Sequence, residues 1–162
     1  TAPSAGGGSP SPTTTAPAPP PPPPPPPSGG GGVCPVAGPV SFVDSWGAAR
    51  SGGRAHRGGD MMASRGTPVA AIFDGTISRL SNSSLGGITF YLRSSAGDTY
   101  YYAHLDGYAE GVSAGMSVTA GQVLGYVGST GNASAAYPHL HFEYHPGGGS
   151  AVNPYPLVRG IC

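Results

Sequence analysis

The stretch Gly87-Ile88-Thr89-Phe90-Tyr91-Leu92-Arg93, then Ser94-Ser95-Ala96-Gly97-Asp98, then Thr99-Tyr100-Tyr101-Tyr102-Ala103-His104-Leu105 decides the fold class. Two runs rich in aromatic and β-branched residues flank a short loop containing Gly97, the pattern of a β-hairpin. Working outward, similar runs bounded by Gly, Asn or Asp predict strands over 40–43, 69–73, 75–80, 123–127 and 139–144, with turns at Asp74-Gly75 and Ala120-Gly121. No segment carries a helical period. The sequence therefore predicts an all-β domain of antiparallel β-sheets packed as a sandwich, rather than alternating βαβ units.

The composition separates this domain from what precedes it. The 162 residues include 29 Gly and 20 Pro, with seven Arg, seven Asp plus Glu and no Lys. Residues 1–33 hold 13 of the prolines and seven of the glycines, without a charged residue, aromatic, His or Cys. Such a segment has almost nothing apolar to set against the roughly 1–2 kcal/mol per residue that ordering a backbone costs. Residues 1–33 are thus expected to be a disordered linker and 34–162 the folded domain. The nine prolines of 19–27 pre-set a polyproline II rod of roughly 28 Å. Composition favours a spacer; the sharper reading is a ligand for an SH3-like or WW-like groove on an envelope partner.

Zero formal net charge and scattered Arg argue against a phosphate-tracking nucleic-acid binder. No apolar stretch approaches the roughly 18 residues of a membrane span. The chain begins at Thr1 without a signal-peptide pattern, which reads as a processed or truncated product with any targeting segment upstream. Cys34 and Cys162 bracket the domain. They are either separate thiols or a disulfide, and the bracketing favours the bond, which implies an oxidising compartment and export.

The histidines carry the chemistry. His139-Leu140-His141 continues into Phe142-Glu143-Tyr144, so as a strand it turns both imidazoles and Glu143 to one face. Alone, such a pair is weak evidence, since structural histidines are common. In His56-Arg57-Gly58-Gly59-Asp60 the paired glycines favour a turn leading into a strand over a helix. His56, Asp60 and one histidine of the pair would give three protein ligands and an open fourth position, the arrangement of a catalytic zinc site. Tyr100, Tyr102 and His104 alternate onto one face of a strand that, on its own, reads as an ordinary half-buried aromatic strand.

Taken in order, these elements resemble the LytM/lysostaphin-type zinc metallopeptidases. These are peptidoglycan endopeptidases built on the duplicated-hybrid-motif β fold, in which the sheets leave an open groove. The likeness extends through Gly66-Thr67-Pro68-Val69-Ala70-Ala71, Tyr102-Ala103-His104-Leu105, Ala120-Gly121-Gln122-Val123-Leu124-Gly125, Val127-Gly128-Ser129-Thr130-Gly131, Pro138-His139-Leu140-His141-Phe142-Glu143 and Asn153-Pro154, spanning roughly residues 54–154. It implies one Zn2+ per chain, bound by His56, Asp60 and His141. It also implies that His139 is the general base and that His104 stabilises the tetrahedral intermediate. Tyr102 and Tyr137 are expected in the substrate groove. The segment 132–137 departs from the family's usual Gly-containing approach to the histidine pair, and His145, with no counterpart there, reads as a strand-end surface residue. The tether has no side chain suited to a fourth, inhibitory metal ligand.

The expectation is a monomeric, secreted or envelope-tethered zinc endopeptidase that hydrolyses peptide bonds in bacterial peptidoglycan, in host remodelling or as a lysin. The rival is a non-catalytic LytM-like module that binds the cell wall or activates another hydrolase. Such modules typically lack a metal ligand, whereas every expected position here is filled.

Overall fold

The computed structural model describes residues 31–162. The expected polyproline segment 19–27, and the tether as far as residue 30, lie outside the described residues. Among the described residues the strands are β1 Ala49–Arg50, β2 Arg54–Ala55, β3 Gly59–Met62, β4 Pro68–Ala70, β5 Gly75–Ser83, β6 Gly87–Ser94, β7 Thr99–Tyr108, β8 Ser117–Val118, β9 Val123–Val127 and β10 His139–His145, and the helix α1 spans Tyr155–Ile161.

β1 and β2 form a separate small hairpin, and the main sheet runs β3-β10-β7-β6-β5-β8 with every pairing antiparallel. β7 changes partner midway. Its first half, from Thr99 to Ala103, pairs with β10, whereas Leu105 to Tyr108 pairs with β9, which in turn pairs with β4. The two layers of the sandwich are therefore parts of one sheet turned on itself. Val69, Leu124 and Val127 from β4 and β9 meet Phe90, Tyr102, Leu140 and Phe142 of the main sheet in one buried core. At about 25 cal/mol per Å² of apolar surface removed from water, this layer is the chief source of stability. The aromatic content of the hairpin explains its place at the centre: Phe90 stacks on Tyr102 at 4.2 Å, and Tyr102 meets Phe142 edge-on at 5.1 Å.

The expected strand over 40–43 is not formed. Ser41 makes only an isolated bridge with Met62, and Val43 is 74% exposed. Pro39 cannot donate to a ladder, and the chain then leaves the sheet edge to build the site. α1 was not legible, because Pro156 and Gly160 break any helical period; Val158 is nonetheless buried, with Leu157 and Ile161 against the core. Cys34 and Cys162 are disulfide-bonded with Cα atoms 4.9 Å apart, as their bracketing predicts. Val33 already donates to the Ile72 carbonyl, so both ends of the domain are tied to β4 and its continuation.

Candidate metal centre and active site

β10 supplies the site's floor. His139, His141, Glu143 and His145 alternate along it with buried Leu140 and Phe142. His141 lies opposite Asp60 of β3 on one side and opposite Ala103 of β7 on the other. His56 comes from the turn between β2 and β3, as the paired glycines predict. Gly58 is required there for close approach: a Cβ would fall 2.6 Å from the Phe142 carbonyl oxygen and 2.7 Å from His141 Cε1.

Three donor atoms converge. His56 Nε2 lies 3.0 Å from His141 Nδ1 and 3.0 Å from Asp60 Oδ1, and His141 Nδ1 lies 3.1 Å from Asp60 Oδ1. A tetrahedral divalent ion with ligands at about 2.0–2.1 Å needs donor separations of about 3.3 Å, so this triangle fits one with small adjustment. His56, Asp60 and His141 are also the cluster of metal-ligating type among the described residues.

The surroundings orient each donor toward the triangle. His56 Nδ1 donates to the Ser45 carbonyl at 2.9 Å, leaving Nε2 as the lone-pair nitrogen. His141 is reversed: Nε2 donates to Glu143 Oε1 at 3.0 Å and Nδ1 faces the triangle. Glu143 Oε2 in turn accepts from His145 Nε2 at 2.7 Å, and His145 Nδ1 lies 2.9 Å from the Gly149 carbonyl. Such outer partners fix ring orientation and raise ligand basicity. Burial alone would raise the Asp60 pKa, but hydrogen bonds to His141 and His56 outweigh it and hold the carboxyl well below the usual range. Burial likewise opposes charge on His141, and Asp60 and Glu143 overcome it to raise its pKa. Arg50 Nη2 reaches Asp60 Oδ2 at 2.5 Å.

Two further histidines flank the triangle. His139 Nδ1 lies 2.8 Å from the Tyr137 carbonyl, and its Nε2 is 3.8 Å from Asp60 Oδ1. His104 Nδ1 lies 2.8 Å from the Thr130 carbonyl, and the two ring centroids are 5.0 Å apart. Each carbonyl accepts the Nδ1 proton, so each ring keeps a free Nε2. His104 has φ +63°, the left-handed value that only glycine shares elsewhere among the described residues. The cause is a β-bulge: Ile88 pairs with Leu105 but Phe90 with Tyr102, so Ala103 and His104 together oppose Thr89. Non-glycine residues in this conformation cost energy and concentrate at functional sites. Burial then pushes the His104 imidazole down to about 4.

The bulge overturns one expectation. Strict alternation puts Tyr102 and His104 on one face, but the extra residue moves His104 to the face of Tyr101. Tyr102 is fully buried, its hydroxyl accepting from the Ile72 N–H at 3.0 Å, and Tyr101 lines the groove instead. Tyr137, 67% exposed, does line it. The groove encloses about 980 Å³ between the β1–β2 hairpin and the segments Leu85-Gly86 and 132–137. His145 is not a bare surface residue but the outer end of the hydrogen-bonded chain from His141. Its position four residues beyond His141, on the same strand face, was the available signal. Arg50 and Ser45 carried none, since loop contacts do not follow periodicity.

Comparison with known proteins agrees with this geometry. The L-Ala–D-Glu endopeptidase of Bacillus subtilis is 34% identical over 135 residues, covering 77% of this chain and 41% of that protein. The DD-carboxypeptidase/endopeptidase Mpg of Neisseria meningitidis is 39% identical over 105 residues, covering 65% of this chain and 23% of that protein. The chain thus spans less than half the length of these relatives. The structure of the catalytic domain of the antimicrobial peptidase lysostaphin from Staphylococcus simulans superposes with a TM-score of 0.64 at 34% identity, over 74% of this chain and 92% of that one. The sequence model of peptidase family M23 matches residues 54–154, which contain all five histidines and Asp60, and the chain belongs to that family.

Proposed function

We propose that this chain is a zinc-dependent endopeptidase that hydrolyses peptide bonds in bacterial peptidoglycan. The observation that carries the reading is the 3.0–3.1 Å triangle of His56 Nε2, Asp60 Oδ1 and His141 Nδ1, flanked by two histidines whose Nε2 atoms are free. Two nitrogens and one carboxylate oxygen, with room for a fourth ligand, suit zinc in a catalytic role. Bound there, zinc would supply Lewis acidity, polarising a carbonyl and lowering the pKa of water toward neutrality.

The remaining work falls to the chain's own residues. His139 Nε2, nearest the triangle, takes the proton of the attacking water as general base. His104, kept neutral by burial with a lone pair on Nε2, takes up a proton from solvent water only as negative charge develops beside it, and then donates Nε2–H to the tetrahedral intermediate. Glu143 and His145 hold the His141 ring. The relatives include an L-Ala–D-Glu endopeptidase and a peptidoglycan DD-endopeptidase, names that support peptide bonds of peptidoglycan as the substrate class. The disulfide supports export to an envelope or secreted location.

Purified protein with zinc should release soluble peptides from cell-wall sacculi, and chelation or His141→Ala should abolish release. Intact sacculi across several peptidoglycan types and pH values would refute the enzyme. Metal analysis separates it from the non-catalytic module: about one tightly held zinc per chain supports catalysis, and none supports the module.

A further inference from the structure

The β1–β2 hairpin and the turn that follows it carry a charge pattern that the hydrolytic machinery does not use. Three of the seven arginines, Arg50, Arg54 and Arg57, fall within eight residues, with no acidic residue among them, and all three line the groove that holds the histidines. Arg50 and Arg54 are directly paired across the hairpin. Like charges opposite one another destabilise a strand pair, so the pattern is costly unless an anion lies between them.

The groove supplies no such anion in excess. Its carboxylates are Asp60 and Glu143. Glu143 is committed to His141 and His145 at 3.0 and 2.7 Å. Arg50 reaches Asp60, whose other oxygen belongs to the metal-binding triangle, so Arg50 shares its carboxylate with the cation site. Arg54 is folded back onto the Ser51 carbonyl and hydroxyl at 3.1 and 3.3 Å, and among the described residues neither Arg54 nor Arg57 pairs with a carboxylate. All three side chains are exposed. The opposite wall, Leu85, Asn132, Ala133, Ser134 and Tyr137, is uncharged.

We infer that this arginine cluster selects the substrate: it binds a free carboxylate of the peptide, so that the groove takes anionic peptides and discriminates against uncharged ones such as glycine chains. The inference rests on the endopeptidase reading for the word substrate, but the carboxylate site stands on the three arginines alone. A guanidinium meets a carboxylate in a two-pronged geometry, and for exposed side chains each such pair contributes roughly two- to fivefold in affinity. The site is solvent-exposed, so the preference weakens with salt.

The test uses two synthetic stem peptides of one sequence, one with a free glutamyl α-carboxylate and the other with that group amidated. Binding to zinc-loaded protein is read by fluorescence anisotropy and turnover by chromatography. The expected result is an acid-to-amide preference of about three- to tenfold in binding. That ratio should fall toward one in Arg54→Gln/Arg57→Gln and survive in Arg79→Gln, whose arginine stacks on Tyr91 away from the groove. Equal binding of the two peptides by the wild type, or an unchanged ratio in the double variant, overturns the proposal even if both peptides are cleaved. A carboxylate preference without cleavage of either peptide leaves the anionic site standing and counts against the endopeptidase reading instead.

Discussion

His104 Nδ1 lies 2.8 Å from the Thr130 carbonyl oxygen, and this bond holds a strained, left-handed histidine against the turn that follows β9. Thr130 is itself clamped: its hydroxyl donates to the Leu105 carbonyl at 2.7 Å and accepts from the Ile88 N–H at 3.0 Å. Ile88 and Leu105, on either side of the bulge, thus share the Thr130 hydroxyl, while His104 takes its backbone carbonyl. Thr130→Val removes the hydroxyl but keeps the shape, leaving a backbone donor and acceptor without their partner. Loss of roughly 1–3 kcal/mol of stability is expected. The bulge would also lose its fixed geometry, so kcat should fall with KM nearly unchanged, as measured by denaturant melts and steady-state kinetics.

The same histidine sets a pH dependence. Burial depresses the His104 pKa from 6.5 to about 4, so between those values the unfolded chain takes up the proton more readily than the folded one. Its contribution to stability is therefore complete above about pH 6.5 and is lost as pH falls toward 4. In chelated protein, His104→Asn should flatten the loss of stability between pH 6.5 and 4 relative to wild type. Parallel curves for the two proteins would show that His104 does not sit neutral in the fold.

Glu143 joins His141 to His145 through its two oxygens, so its removal should weaken the proposed metal site without taking away a ligand. Glu143→Gln keeps the shape but weakens the orienting hydrogen bond and the basicity of the ring. A loss of about 10–100-fold in zinc affinity is expected from competition with a chelator of known strength. His145→Ala, one step further out, should cost less. A variant His145→Ala that binds zinc more weakly than Glu143→Gln would reverse the order of this chain of contacts.

What the sequence disclosed and what it hid follow from the range of the forces involved. Alternation along 139–144 is a local property, and it correctly put His139, His141 and Glu143 on one face above buried Leu140 and Phe142. The pair of glycines after His56 likewise announced a turn, because no other residue fits against the Phe142 carbonyl at Gly58. The bulge at His104 was invisible, since it depends on β6 having one residue where β7 has two, a relationship between strands and not within one. Misplacing Tyr102 was the direct result. The arginine hairpin and the Ser45 contact were hidden for the same reason: β1 and β2 are two residues each, too short for any period.

The bond between Cys34 and Cys162 spans a sequence separation of 128 residues, and it joins the first segment of the fold to the residue after α1. Cross-linking over such a span removes much of the unfolded chain's freedom, whereas the bond touches no part of the groove. The double variant Cys34→Ala/Cys162→Ala should lose about 2–5 kcal/mol of stability in denaturant melts. Its zinc content and turnover at low temperature should match those of the wild type.

Tyr102 and Tyr137, both expected in the groove, now predict opposite phenotypes. The Tyr102 hydroxyl satisfies the buried Ile72 N–H at 3.0 Å, and the ring packs between Phe90 and Phe142. Tyr102→Phe keeps the packing but strands that donor, so a loss of about 1–3 kcal/mol in stability is expected with KM unchanged. Tyr137 is largely exposed at the groove edge, where its ring stabilises little. Tyr137→Ala should leave the melting temperature within experimental error, yet raise KM for peptide substrates. Its backbone carbonyl, which holds His139 Nδ1, survives the substitution, so kcat should be largely retained. A Tyr102→Phe enzyme with raised KM and undiminished stability would show that the bulge does not bury that side chain in solution.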